Sequence, residues 1–169
     1  MKQEDMELKY QDDSIELWKH KHHPGWHLKV RPAATVLPVT PDGKILLMSE
    51  LKEDQGRSVL GFPGGMIEDG ENAAEAATRE AAEELGLVVG NLTEITTVQT
   101  GFPDTSVTYF LGYIQGKIEK KDWEIIEEIR EVTMKELFQL ALDGAISDPR
   151  QVVAILALQK KLDSGQITI

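Results

Sequence analysis

The sequence contains no cysteine, so disulfide bonds, thiolate metal sites and cysteine nucleophiles are all excluded. No apolar run approaches the length needed to span a bilayer, and the first ten residues lack an apolar signal segment. We therefore expect a cytoplasmic protein that does not contact membranes. At 169 residues the chain is long enough for one domain with a genuine core and too short for two comfortable ones.

Positive charge is also scarce. The chain has 18 Lys and Arg against 29 Asp and Glu, which gives a formal charge of −11. A protein that holds duplex nucleic acid through its phosphates needs a basic surface, so this function is disfavoured. A small phosphorylated molecule remains a suitable partner, provided that metal ions screen the acidic site.

The most distinctive stretch is residues 64–87, a glycine-rich loop followed by a short acidic helix. Asn72 and Glu75 have the spacing of a capping box at the start of this helix. Gly86 stands where a left-handed residue would end it. The predicted helix is about three and a half turns long at roughly 3.6 residues per turn.

Three glutamates on this helix, Glu80, Glu83 and Glu84, have i, i+3 and i+4 spacing, so their carboxylates project from one face. Arg79 can hold part of this cluster but cannot neutralise all of it. Carboxylate oxygens beside glycine-exposed carbonyls are the ligands that a hard cation such as Mg²⁺ or Mn²⁺ needs. The alternative for these residues is a solvated acidic helix face.

The spacing of the whole stretch resembles the Nudix box. The matching positions are Gly65, five residues, Glu71, seven residues, Arg79-Glu80, apolar Ala81, then Glu83-Glu84, one residue, Gly86 and apolar Leu87. The resemblance implies a Nudix hydrolase, which cleaves a nucleoside diphosphate linked to another moiety with the help of a divalent metal ion.

The resemblance also implies the metal ligands. Glu80 and Glu84 would bind the ion directly, and Glu83 would be a further ligand or a partner of a metal-bound water. The Gly64 carbonyl would add a backbone ligand. The three glutamates lie within the box, and Gly64 directly precedes it.

Other roles follow from the resemblance in the same way. Arg79 would orient the glutamates, and Glu71 would brace the loop rather than bind metal. Glu127 or Glu128, in the charged stretch 120–131, has the family position of a catalytic base or an extra metal ligand. A solvated edge strand or helix end would explain the same stretch.

The substrate is less closely defined. Pro103 lies sixteen residues after Leu87, as in the subgroup that acts on ADP-ribose, and Phe102 beside it could stack on a base or sugar. Arg57 could approach a phosphate. Residues 49–52 and 61–62 depart from that subgroup's signatures. Other nucleotide sugars, dinucleoside polyphosphates, nucleoside triphosphates, capped RNA ends and a non-catalytic nucleotide sensor therefore stay open.

Apolar and β-branched runs predict the strands, and apolar residues at helical spacing predict two further helices. The predicted strands are 14–19, 26–31, 33–39, 44–48, 59–62, 92–99 and 107–114, and the helices are 135–142 and 150–162. Asp148 should cap the last helix, with Val152, Val153, Ile155, Leu156 and Leu158 buried. Residues 1–13 are expected to be a mobile or partner-docked end, 51–58 a loop and 63–65 a turn.

These elements fit a mixed sheet covered by helices on both faces. The resemblance implies the Nudix α/β/α sandwich, here with an N-terminal β-hairpin extension at 1–31 and the Nudix domain at 32–169. In several nucleotide-sugar subgroups of the family such an extension supports a homodimer. His20, His22 and His23 lie at the hairpin tip, and their spacing fits no standard metal site.

Overall fold

The computed structural model describes residues 5–52, 56–119 and 126–169. The strands are β1 (Met6–Gln11), β2 (Ile15–His20), β3 (Trp26–Val30), β4 (Ala33–Val39), β5 (Ile45–Lys52), β6 (Arg57–Gly61), β7 (Gly64–Met66), β8 (Leu87–Gly101), β9 (Asp104–Lys117) and β10 (Ile126–Val132). The helices are α1 (Ala73–Leu85), α2 (Met134–Leu142) and α3 (Pro149–Asp163). Among the described residues, no helix is long and apolar enough to cross a membrane.

The strands form a single mixed sheet in the order β1-β2-β3-β9-β4-β5-β10. β4 and β9 run parallel over seven residue pairs, from Ala33 opposite Val107 to Val39 opposite Tyr113. The pairs β2–β3, β5–β10 and β8–β9 are antiparallel. Two short strands join from the side, since β6 pairs with β5 and β7 pairs with β4. The predicted mixed sheet is therefore confirmed.

Helices cover both faces of this sheet. Val36 of β4 belongs to the hydrophobic cluster that includes Ala77 of α1. Its neighbour Leu37 points the other way, into the cluster that contains Leu137 of α2 and Ile155 of α3. Successive residues of a strand face opposite sides of the sheet, so one strand serves both clusters. The predicted α/β/α sandwich is confirmed.

A leucine on the buried side of α3 should contribute much more to the free energy of unfolding than a leucine on its exposed side. Leu158 is fully buried, whereas Leu156 on the same helix is 48% exposed. Replacing Leu158 with alanine should lower the free energy of unfolding by about 2–5 kcal/mol, because a buried cavity is left. Leu156→Ala, the matched control, should change it by about 0.5 kcal/mol or less. Urea unfolding followed by circular dichroism measures both, and equal losses would contradict this packing.

Capping residues next to each helix determine where the helices begin, and Gly86 ends α1. Asn72 caps α1, with the reciprocal bond from its backbone N–H to Glu75, and Gly86 ends the helix at a φ of 64°. Thr133 and Glu136 form a second capping box at α2. Asp148 caps α3, and Pro149 takes the first helical position. The predicted caps at Asn72 and Asp148 are confirmed.

The N-terminal residues form more structure than predicted. Residues 6–11 were expected to belong to a mobile or partner-docked end, but they form β1, which pairs with β2 of the same chain from Met6 opposite His20. The hairpin of β2 and β3 is as predicted. β3 joins the rest of the sheet through one parallel pair, Lys29 opposite Asp104. The extension is therefore a three-stranded sheet attached at one end of β9.

Several other predictions need correction, because long-range pairing extends the strands. Part of the expected loop 51–58 belongs to β5 and β6, and residues 53–55 lie outside the described part. The expected turn at 63–65 includes the start of β7. The described part of the charged stretch, residues 126–131, belongs to β10, so the edge-strand alternative for this stretch holds. Residues 120–125 lie outside the described ranges.

The predicted burial of α3 was partly wrong. Ile155 and Leu158 are buried, but Val153 and Leu156 are each 48% exposed. Val152 is half-buried and packs against the edge of the core cluster. Only one side of α3 faces the sheet, so the helix cannot bury apolar residues all round.

Candidate active site

The Gly64–Gly65 backbone lies tightly between strand β4 and helix α1. β7 places Gly64 opposite Thr35 and Gly65 opposite Ala34. A Cβ atom added at Gly64 would lie 2.6 Å from the Ala34 carbonyl oxygen. One added at Gly65 would lie 2.6 Å from the carboxylate carbon of Glu80. Gly64 is required here because a Cβ atom would meet the β4 backbone, whereas a Cβ atom at Gly65 would force the Glu80 side chain to move.

Glu84 is buried, with only 5% of the residue exposed. The Gly64 N–H donates a 3.3 Å hydrogen bond to the Glu84 Oε2 atom. Because Glu80 lies against Gly65, the carboxylates of two helix glutamates meet the same two-residue backbone segment. The tight glycine strand and the acidic helix therefore form one unit.

Arg79 contacts three acidic side chains of this region. Its Nε and Nη2 atoms donate to the two oxygens of Glu71 at 3.0 and 3.1 Å. Its Nη1 atom donates to Glu80 at 2.8 Å and to Glu83 at 3.0 Å. Nη2 also donates to the Met66 carbonyl at 3.0 Å. The guanidinium therefore ties α1 to the loop that precedes it.

These contacts affect the titration of both partners. Hydrogen bonds to Glu71 raise the pKa of Arg79 above its ordinary value; burial opposes the rise, while Glu80 and Glu83 add to it. The Arg79 hydrogen bond in turn lowers the pKa of the Glu71 carboxyl. The pair stays charged at neutral pH, so Arg79 can act as a fixed positive centre among the glutamates.

The donor atoms suit a hard divalent cation, since carboxylate and carbonyl oxygens surround the Gly64–Gly65 segment. In the arrangement observed, however, no three acidic or histidine side chains of residues 5–52, 56–119 and 126–169 converge on one metal position. Arg79 engages one oxygen of Glu80 and one of Glu83. A metal ion held by these carboxylates would therefore lie close to the Arg79 guanidinium.

A cavity of about 220 Å³ opens beside the two glycines. Its walls come from strands β4, β5, β6, β7 and β9 and from the start of α3. The lining residues are Ala33, Thr35, Met48, Glu50, Lys52, Val59, Gly61, Phe62, Gly64, Gly65, Val107, Tyr109, Asp148, Arg150 and Gln151. Buried Glu50 pairs with Lys52 along β5. The cavity therefore joins the glutamate-contacting backbone to the first turn of α3.

The first turn of α3 carries a fixed ion pair. The Arg150 side chain donates to Asp148 through Nε at 3.0 Å and through Nη2 at 2.7 Å. Burial alone would raise the pKa of Asp148, but the hydrogen bonds from Arg150 outweigh it and hold the pKa below its ordinary value. Burial also raises the pKa of nearby Tyr109, which stays a neutral phenol at neutral pH.

This pair predicts a pH-dependent contribution to stability. A carboxyl whose pKa is lower in the folded state stabilises the fold fully above its unfolded pKa, and loses that contribution as the pH falls through the folded pKa. Asp148→Asn keeps a good helix cap but removes the charge. The variant should be less stable than the wild type by roughly 1–3 kcal/mol at pH 7.

The difference between Asp148→Asn and the wild type should shrink as the pH is lowered below about 4, near the ordinary carboxyl pKa. Urea unfolding at pH 7, 5, 4 and 3 measures it. Asp143→Asn provides a matched control, because Asp143 is exposed at the end of α2. A stability difference between wild type and Asp148→Asn that stays constant across this range would contradict the assignment.

The other residues expected at the site lie outside the cavity lining. Arg57 is exposed at the start of β6, and Phe102 is 69% exposed in the turn between β8 and β9, next to Pro103. Glu127 and Glu128 are exposed on β10. The Ser58 hydroxyl of β6 donates a short hydrogen bond to Glu127.

The structure adds residues that sequence reasoning missed as site candidates. Glu50 and Lys52 lie on β5, Tyr109 lies on β9, and Arg150 and Gln151 follow the α3 cap. In the sequence only the cap at Asp148 gave a signal, and that signal concerned helix formation. Tertiary packing brings these residues beside Gly64, so no local pattern identifies them.

Several known proteins resemble this chain in sequence. The model of the NUDIX domain matches residues 29–154. The chain is 33% identical over 144 residues to the ADP-ribose pyrophosphatase of Bacillus subtilis (strain 168), covering 82% of this chain and 74% of that protein. It is 26% identical over 164 residues to the methanol dehydrogenase activator of Bacillus methanolicus, covering 90% of this chain and 85% of that protein.

A solved structure shares the fold. The crystal structure of an ADP compounds hydrolase superposes with a TM-score of 0.75, covering 95% of this chain and 92% of that chain. The two sequences are 19% identical, so the likeness concerns the fold alone. It extends over the N-terminal strands as well as the sandwich, because nearly the whole chain is covered.

Proposed function

Because the chain belongs to the Nudix family and is a pyrophosphohydrolase, we propose that it cleaves the pyrophosphate bond of ADP-ribose or another nucleotide sugar. The products would be a nucleoside monophosphate and a sugar phosphate. The observation that carries this proposal is the contact of Glu80 and Glu84 with the Gly64–Gly65 backbone at the edge of a cavity. Similarity to an ADP-ribose pyrophosphatase supports the substrate class.

The proposed reaction depends on a divalent metal ion, Mg²⁺ or Mn²⁺. Glu80 and Glu84 would hold it, with Glu83 and the Gly64 carbonyl as further ligands. A bound ion would neutralise charge on the diphosphate and lower the pKa of a water molecule. Arg79 would act as a positioning residue, because it already fixes Glu80 and Glu83 on the correct face of α1.

Glu127 or Glu128 is proposed as the base that activates the attacking water. Both carboxylates lie on β10, which pairs with β5, a strand that lines the cavity through Met48 and Glu50. Arg57, Phe102 and Pro103 are proposed to contact the part of the substrate that extends beyond the cavity. At about 220 Å³ the cavity is smaller than sites that enclose a whole ligand, roughly 300–1,000 Å³.

The test is a substrate panel. Phosphate release through a phosphatase couple is measured for ADP-ribose, other nucleotide sugars, dinucleoside polyphosphates and nucleoside triphosphates, each with Mg²⁺ or Mn²⁺. We expect the highest kcat/KM for ADP-ribose or another nucleotide sugar. Faster turnover of a dinucleoside polyphosphate or a triphosphate would overturn the proposed substrate class. No turnover on the whole panel would favour a nucleotide sensor.

A homodimer formed through the N-terminal sheet is part of the proposal. Ile15 opposite Val30 and Leu17 opposite Leu28 place four apolar, half-buried side chains on one face of β2 and β3. A second copy could cover this face. Size-exclusion chromatography with light scattering should give a dimer, and Leu17→Glu should give a monomer.

Leu142→Glu is the control for the dimer, since Leu142 is 70% exposed on α2. A monomeric wild-type protein would overturn the homodimer. The division of the chain into an extension at 1–31 and a catalytic domain at 32–169 stays a prediction, as does the cytoplasmic location.

A further inference from the structure

Gln151 has a buried polar atom that nothing in the described structure satisfies. The residue lies in the first turn of α3 and lines the same cavity as Gly64 and Gly65. Its Oε1 atom is buried without a hydrogen-bond partner among the described residues. Buried polar atoms are nearly always paired, and each exception needs an explanation. A ligand that brings a donor into the cavity would supply the missing partner.

The orientation of this amide is constrained by Gly61. A Cβ atom at position 61 would lie 2.8 Å from Gln151 Oε1 and 2.9 Å from Nε2. The absence of a side chain at Gly61 therefore leaves space for the flat amide group against β6. An amide offers an acceptor and a donor side by side, whichever way its oxygen and nitrogen are assigned.

Adenine has the complementary edge. Its 6-amino group is a donor next to ring nitrogens that accept, and glutamine pairs with this edge through two hydrogen bonds in other adenine-reading proteins. The cavity volume, about 220 Å³, accommodates part of a nucleotide. With the diphosphate beside Gly64 and Gly65, the nucleobase would occupy the end of the cavity formed by α3.

We propose that Gln151 is a specificity-determining residue whose side-chain amide pairs with the adenine edge of the substrate. This inference rests on the proposed function, because it assumes a nucleoside diphosphate whose phosphates lie beside Gly64. Hypoxanthine carries a carbonyl oxygen in place of the amino group. On the N6/N7 edge that glutamine reads, hypoxanthine presents two acceptors, so the amide oxygen faces an acceptor without a shared proton whichever way the amide is turned. A site built to bond a substrate N–H rejects such an analogue.

The experiment compares kcat/KM for ADP-ribose and for its hypoxanthine analogue, IDP-ribose, which differ only in the base. The wild type should prefer ADP-ribose by roughly 10- to 100-fold. Gln151→Met keeps the side-chain length but removes the amide, so the preference should largely disappear. Gly61→Ala pushes the amide aside without removing it and should reduce the preference as well.

Gln159→Met provides the matched control. Gln159 lies on the same helix, and its amide donates to Asp163 at 2.7 Å, so the preference should stay as in the wild type. A Gln151→Met variant that loses the same factor on both substrates, or nothing on either, would overturn the role of Gln151.

If the proposed function itself is wrong, the result differs from a failure of the Gln151 role, because the wild-type protein would then hydrolyse neither substrate with Mg²⁺ or Mn²⁺. In that case calorimetric binding of AMP and IMP to the wild type and to Gln151→Met decides the role of Gln151. Tighter AMP binding that depends on Gln151 would support base selection. Equal affinities for AMP and IMP in the wild type would overturn it.

Discussion

Replacing Glu84 with glutamine is expected to lower kcat/KM by roughly 10³-fold, because a bound metal ion contributes several kcal/mol and each 1.4 kcal/mol is about tenfold in rate. The fold should survive for a reason that the structure provides. Glu84 is buried, not on the helix surface, but a glutamine carbonyl can still accept the hydrogen bond from the Gly64 N–H. Steady-state kinetics and thermal unfolding measure the two effects separately.

Glu94→Gln is the matched control for this prediction. Glu94 is an exposed carboxylate on β8, so the substitution makes the same chemical change away from the cavity. It should retain the wild-type rate. If Glu84→Gln retained most of its activity, Glu84 could not be a metal ligand. If it lost activity only by unfolding, the result would show a structural role.

Replacing Gly65 with alanine is expected to lower kcat by about 10²-fold. The new Cβ would lie within contact distance of the Glu80 carboxylate, so Glu80 or the β7 backbone must move. A displacement of about 1 Å at a reacting centre typically reduces the rate by this factor. Because Glu80 is a proposed ligand, the variant should also require a higher Mg²⁺ concentration for half-maximal rate.

Gly116→Ala tests whether a methyl group on a strand glycine is harmful in itself. Its Cβ would meet only the Val88 side chain, at an ordinary 4.0 Å. The Mg²⁺ dependence and rate of this control should match the wild type. A Gly65→Ala protein with an unchanged Mg²⁺ requirement would contradict the contact between this glycine and the metal-binding carboxylate.

The helix of the site could be predicted because its signals are local. Asn72, Glu75 and Gly86 lie within the helix or next to it, and the structure has each in the predicted capping role. The one-face spacing of the glutamates depends on helical geometry alone. The central strands were predicted for a similar reason, since their segments are rich in apolar and β-branched residues.

The rest of the site depends on contacts between distant segments. β7 contains two glycines and has no strand signal, and it forms only because Thr35 and Ala34 of β4 pair with it. Arg150 and Gln151 reach the cavity through the packing of α3 on the sheet. Sequence patterns report the preferences of a segment, not the neighbour that it will meet, so these residues could not be identified in advance.

Edge strands and helix faces are also hard to predict from sequence patterns alone. β10 is rich in charge, and its sequence left an edge strand and a helix end open. In the structure it pairs with β5 from Ile126 opposite Glu50 to Val132 opposite Ile45. Charged side chains are common on edge strands, where they prevent further pairing. In α3, several apolar residues in succession left the buried face ambiguous, and the structure exposes Val153 and Leu156.

The central claim, metal-dependent cleavage of a nucleotide sugar at the Gly64–Gly65 edge of the cavity, is tested most directly by product analysis. ADP-ribose is incubated with the protein in Mg²⁺, in a chelator, and in a chelator followed by excess Mg²⁺, and the products are separated by ion-exchange chromatography. We predict equal amounts of AMP and ribose 5-phosphate with Mg²⁺, none with the chelator, and recovery on adding Mg²⁺ back. AMP formation that persists in the chelator, or no AMP in any condition, would contradict the claim.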